Sequence, residues 1–213
     1  MIYKLNLIKS QDKLIERVFH KSMKELGEFY GINWIINTPK VFLIKDRKTI
    51  DSLHAKKTEP WLVGWTNNTA RIVFVLDKKN LEKQSSHKYS EEYYSSLIKH
   101  ELSHLFYGIL SANKQGPIWL SEGMAIYTSG QTKSRARPSE FKNFLMFYAK
   151  SGSGVYAESG FVVETLVKKF GKNKLLELIK FLRDISDEKQ FNRIFKKIYG
   201  FSMSYKSINK LYK

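Results

Sequence analysis

Two histidines four residues apart, with a glutamate directly after the first, stand at His100-Glu101-Leu102-Ser103-His104. On a helix, positions i and i+4 share a face one turn apart, so this HExxH spacing lets both imidazoles hold one metal ion. Glu101 then projects beside that metal, placed to take a proton from a bound water without serving as a ligand. Two histidines leave a zinc ion needing a third protein ligand. The chain has no cysteine, which restricts that ligand to His, Asp or Glu and excludes disulfides, iron–sulfur ligation and a cysteine nucleophile. Glu122 is the candidate. It shares a helix face with Ile118, Trp119, Ala125 and Ile126, and a carboxylate on an apolar face needs a partner, either zinc or a basic side chain of the C-terminal helices.

These residues need elements that bring them together. Ser90, followed by Glu91 and Glu92, predicts a capped helix running through Leu110 that carries the HExxH residues, with acids where the helix dipole favours them. Further helices are expected at about 117–129, 138–150, 156–170, 172–185 and 187–199, with a short one after Ser202. Upstream, Ser10 is the expected cap of a helix with apolar positions from Leu14 to Phe29, ended by Gly31. Val41–Ile44 reads as a strand and residues 47–57 as a short helix. Trp61–Trp65 and Ala70–Leu76 read as a hairpin around Asn67-Asn68-Thr69. Met1–Lys9 reads as another short strand, and Ser151–Gly154 as a flexible connection.

Strands that stop at residue 76, followed by helices only, predict an α+β fold in one catalytic domain spanning 1–213. A small N-terminal α/β lobe (1–112) with a short mixed sheet and the HExxH helix is followed by an all-helical lobe (113–213). The two are expected to meet at a cleft. The apolar stretch nearest the N-terminus is interrupted by Lys4 and Asn6, and the longest apolar run is Ile72–Leu76. No signal peptide or transmembrane segment is expected, and a cytoplasmic location follows as an expectation.

Beyond the zinc-ligand pattern, the sequence resembles the gluzincin metallopeptidases. HExxH, then 17 residues, then a glutamate within Trp119-Leu120-Ser121-Glu122-Gly123 is similar to the small peptidase-MA-like domains, whose signature continues as PxWLxEGxA. Val155–Leu166, Lys169-Phe170-Gly171 and Leu175-Leu176 resemble the helices that follow in that family, so the likeness covers roughly residues 60–182. It implies one zinc per chain on His100, His104 and Glu122, with Glu101 as general base and later general acid. It also implies Tyr156 as oxyanion donor, with Tyr107 and Tyr127 as weaker candidates, and a peptide or protein as substrate. The Ala70–Leu76 strand would be the edge along which a peptide pairs, which would place Arg71 near the site; the alternative for Arg71 is a solvated charge on an edge strand.

Two positions depart from related branches. Thermolysin-like members carry an aspartate four residues after the third ligand, where this chain has Ile126, so the outer partner of the first histidine must be a backbone carbonyl, a water or another side chain. The motif that anchors a substrate α-amine in aminopeptidase-type members is absent, which favours an endopeptidase.

The charge supports a rival. Lysine and arginine number 37 against 20 acids, and residues 131–213 hold 18 of the basic and 7 of the acidic side chains. A retired peptidase fold using that basic third to bind nucleic acid or an anionic membrane is the alternative. No nucleic-acid motif is recognisable, and the complete ligand set with its base favours the enzyme.

Overall fold

The computed structural model describes residues 8–114, 116–147 and 153–213. Helix α1 (Lys13–Tyr30) is opened by Asp12, whose carboxylate accepts from the Leu14 and Ile15 amides. Ser10, the expected cap, lies two residues before it and accepts from the Asp12 amide instead. Gly31 ends the helix at φ 67°, a left-handed conformation that costs glycine nothing. Met1–Leu7 of the expected first strand lie outside the described residues, and Ile8 and Lys9 join no strand.

Strand β1 (Lys40–Ile44) leads through α2 (Arg47–His54) to β2 (Gly64–Asn67) and β3 (Ile72–Leu76). The sheet order is β1-β3-β2, with β1 parallel and β2 antiparallel to β3. This corrects the edge assignment. The apolar strand after Ala70 is the central one, with Val73, Val75 and Leu76 fully buried; β1 and β2 are the two edges, and β2 is the one beside the HExxH helix. The loop before β2 has little regular structure of its own and is held by Arg47. Its guanidinium donates to the Thr58 hydroxyl and to the carbonyls of Glu59, Pro60, Leu62 and Gln84.

A one-turn helix not expected from the sequence, α3 (Leu81–Gln84), precedes α4 (Glu91–Leu110). The Ser90 hydroxyl caps α4 by accepting from the Tyr93 amide, as its position predicts. Tyr94, Leu97, Ile98, Leu102, Leu105 and Phe106 are all buried, because α4 is the central helix of the fold. It packs against α1, β2 and β3 on the N-terminal side and against α5 (Ile118–Ser129) on the other. Pro117, expected in the first turn of α5, is its cap residue.

α5 lies closest to α6 (Ser153–Phe170). Glycines make that approach possible: a Cβ on Gly160 would stand 2.3 Å from Ile126, and one on Gly123 would stand 2.6 Å from the Ser159 carbonyl. The remainder is α7 (Lys172–Phe181), a 3-10 turn at Leu182–Asp184, α8 (Glu188–Tyr199) and α9 (Tyr205–Tyr212). One apolar core runs through the sheet, α4 and the C-terminal helices, so the molecule is α+β with a helical C-terminal part.

The expected helix at 138–150 does not form over its described residues, 138–147; residues 148–150 lie outside them. Distant side chains take the backbone groups a helix would use. The buried Glu158 carboxylate accepts from the Lys142 and Asn143 amides, while Asn209 accepts from the Phe141 amide and donates to its carbonyl. Phe141 and Phe144 are buried as anchors of an irregular segment. Of the expected loose stretch at 151–154, the first two residues lie outside the described residues and the other two begin α6. Among the described residues, no helix is long and apolar enough to cross a membrane.

Candidate metal centre

α4 carries His100 and His104 on one face, and their Nε2 atoms lie 3.2 Å apart. α5 brings Glu122 to the same point, with Oε2 3.5 Å from His100 Nε2 and 3.7 Å from His104 Nε2. Ligand atoms of all three lie within 4.8 Å of one another, so the group could hold a metal ion. The Glu122 Oε2 atom is buried and accepts no hydrogen bond among the described residues. Among the described residues no lysine or arginine forms an ion pair with Glu122, so the basic partner considered from sequence is not what holds it.

The charges of the cluster are set by burial and by each other. Burial pushes His104 down to about 4, against the pull of Glu122 and with help from His100. For His100, burial opposes the charge, but Glu122 and Glu101 outweigh it and raise its pKa. Burial likewise opposes charge on Glu122, and the two imidazoles, aided by Arg135, hold it below the usual glutamate value. His104 and Glu122 are thereby held in the neutral and ionised forms that ligate metals, whereas His100 must give up its proton to do so.

Glu101 points between α4 and the edge strand and is 6% exposed. A Cβ on Gly64 of β2 would stand 2.8 Å from its Oε1, so the strand leaves room for the carboxylate only by having no side chain there. Burial pushes Glu101 up to about 7, His100 opposing and Glu122 adding to the shift. A carboxyl that changes protonation near neutrality suits a group that must both take and return a proton.

The outer partners are uneven. His104 Nδ1 lies 3.3 Å from the Ser121 hydroxyl, whereas His100 Nδ1 is buried with no partner among the described residues. Ile126, four residues after Glu122, is fully buried against Gly160 and offers neither histidine a polar group.

A cleft of about 700 Å³ opens over the cluster. Tyr156, from α6, lines it and is 38% exposed, with burial followed by Glu122 and Glu101 raising its phenol to about 12. It therefore keeps its proton and remains a donor at neutral pH. Tyr107 also lines the cleft, its hydroxyl buried and without a partner among the described residues, whereas Tyr127 packs edge-on against Phe29 and is not part of the lining. Arg71 is not at the site: its guanidinium lies over Trp34 and donates to the Asn37 carbonyl.

Sequence patterns did not single out Arg135, Ser121 or Tyr93, all of which line the cleft. Ser121 was adjacent to Glu122 and so was available as a signal; Arg135 was one of 37 basic residues with nothing in its spacing to mark it. Comparison of the chain with protein-family models, curated proteins and solved structures gives no match.

Proposed function

We propose that the protein is a zinc-dependent metallopeptidase, acting on internal peptide bonds, with His100, His104 and Glu122 as the zinc ligands. The convergence of two imidazoles and an unpartnered carboxylate oxygen beside the buried Glu101 carries this proposal. Two nitrogens and one oxygen are a donor set that zinc accepts while keeping a position open for water or substrate. Bound there, zinc supplies a Lewis acid that acidifies a coordinated water and polarises a carbonyl.

The chain's own residues do the rest. The Glu101 carboxylate takes the proton of the attacking water and returns it to the departing amine, as its place beside the three ligands allows. Tyr156 donates from its phenol to the oxygen on which negative charge develops. The free side of β2 offers backbone groups to an extended peptide, and Gly64, Trp65 and Thr66 on that strand line the cleft.

The test pairs metal analysis with hydrolysis. Purified protein is expected to bind one zinc per chain and to cleave peptides, and Glu101→Gln is expected to keep the zinc while losing cleavage. Wild-type turnover by Glu101→Gln rejects its role as base. Absence of stoichiometric zinc, combined with tight binding of duplex DNA that survives about 0.15 M salt, replaces the peptidase with a nucleic-acid-binding module.

A further inference from the structure

Arg135 and Arg137 leave the same segment two residues apart and meet different surroundings. Arg137 donates from both terminal nitrogens to Glu164, at 2.9 and 3.0 Å, and its guanidinium lies over the Phe161 ring. Arg135 has no carboxylate within ion-pair distance among the described residues. Its hydrogen bonds go to neutral acceptors, from Nη1 to the Tyr156 carbonyl at 2.7 Å and from Nη2 to Gln131 Oε1 at 3.1 Å. These bonds use two of the guanidinium's five N–H donors and fix the fork in the cleft wall. The other donors meet no acceptor among the described residues.

Leaving a partly dehydrated cation unpaired is costly, and burial lowers its pKa accordingly. Glu122 and Tyr93 oppose that shift only through space, and no described group in the lining pairs with the remaining guanidinium donors. Its only described carboxylates are Glu101, buried against β2, and Glu122, facing the two imidazoles; the remaining fixed charges are cations, Arg135 and Lys114. A planar, preorganised fork with free donors recognises a carboxylate in two-pronged fashion.

We propose that Arg135 is the substrate-carboxylate receptor of this cleft, selecting peptides with an acidic side chain or a free C-terminal carboxylate at a fixed distance from the bond beside Glu101. Its peptide aspect rests on the metallopeptidase function proposed above; its carboxylate aspect rests on Arg135 alone. As a specificity residue, Arg135 governs which peptides are held rather than how the bond is broken.

The experiment measures equilibrium binding of blocked alanine–leucine hexapeptides to the Glu101→Gln protein, with and without added zinc. One series carries glutamate at each position in turn beside its glutamine twin. The other compares a free C-terminus with its amide, which separates the two sources of carboxylate. At one position or at the C-terminus, the acid is expected to bind about tenfold tighter than its neutral twin. Adding Arg135→Ala should bring that ratio close to one while leaving affinity for the neutral twin within about twofold, and Arg135→Lys should restore part of the preference.

No acid preference at any position, binding of none of the peptides, or a preference that survives Arg135→Ala overturns the proposal. Equal weakening of acid and neutral twins also overturns it, since that marks a residue that only supports the wall. Hydrolysis by the wild-type protein is scored separately. Cleavage without an Arg135-dependent preference leaves the peptidase and removes the receptor; an Arg135-dependent preference without cleavage does the reverse.

Discussion

The Glu101 carboxylate occupies the space that a side chain at residue 64 would fill: a Cβ on Gly64 would stand 2.8 Å from Oε1 and 3.0 Å from Cγ. The contact is with the flexible end of a side chain rather than with backbone. Gly64→Ala is therefore expected to fold normally, since alanine in a strand is no worse than glycine, while pushing the carboxylate out of place. Peptide hydrolysis should fall at least tenfold with zinc content unchanged. Unaltered turnover would mean that Glu101 acts from a position β2 does not set.

Ser121 is the one described side chain that holds a candidate ligand from behind, at 3.3 Å from His104 Nδ1. Loss of such outer contacts typically weakens metal binding about 10- to 100-fold, and this long contact belongs at the lower end. Ser121→Ala is expected to weaken zinc about tenfold in a competition titration with a chelator, whereas His104→Ala should abolish stoichiometric zinc. Full zinc retention by His104→Ala would remove that histidine from the ligand set.

Tyr156 keeps its proton at neutral pH, so Tyr156→Phe removes a donor and little else. Turnover is expected to drop tenfold or more with KM and zinc content nearly constant, within the range seen for lost oxyanion donors. An unchanged rate would make Tyr156 a rim residue and direct attention to Tyr107, whose hydroxyl is unpartnered at the cleft.

A further prediction concerns stability in acid. Arg137, followed by Lys168 against the opposing cost of burial, holds the Glu164 carboxyl below its ordinary value of 4.5. A lowered folded-state pKa stabilises the protein above the unfolded value, and that contribution is lost as pH falls through the folded one. At pH 7, Glu164→Gln is expected to cost about 1 kcal/mol, reduced by the solvent exposure of Arg137. Urea midpoints of wild type and variant should converge as pH falls from about 4.5 toward 3. A gap that stays constant across this range would remove the ion pair as its cause.

The elements that carry the candidate site were legible because their signals are local. Ser90 and the two acids after it mark the start of α4, and HExxH marks the face. Pro117 and the apolar positions after it place the expected 117–129 helix within a residue of α5. Sheet order was not legible from the strands alone, since an apolar run such as Ile72–Leu76 does not say which neighbours pair with it. The expected 138–150 helix is missing over its described residues, 138–147, for a different reason. Phe141, Phe144 and Phe147 fall at helical spacing, but Glu158 and Asn209, residues far along the chain, supply the hydrogen bonds that fix another path. Arg135 was hidden by abundance: the role proposed for it depends on its having no ion-paired acid among the described residues, which is a property of space and not of spacing.

Arg47 grips the approach to β2 mainly through main-chain carbonyls, those of Glu59, Pro60 and Leu62. Backbone oxygens are the same whatever side chain a residue carries. The rim between residues 59 and 62, with the half-exposed Trp61 at its centre, is therefore a replaceable surface on a fixed frame. Single substitutions there leave the frame's anchors intact, so the selectivity of the cleft is free to drift in evolution, or to be recast in the laboratory, while the edge strand and the carboxylate behind it stay where they are.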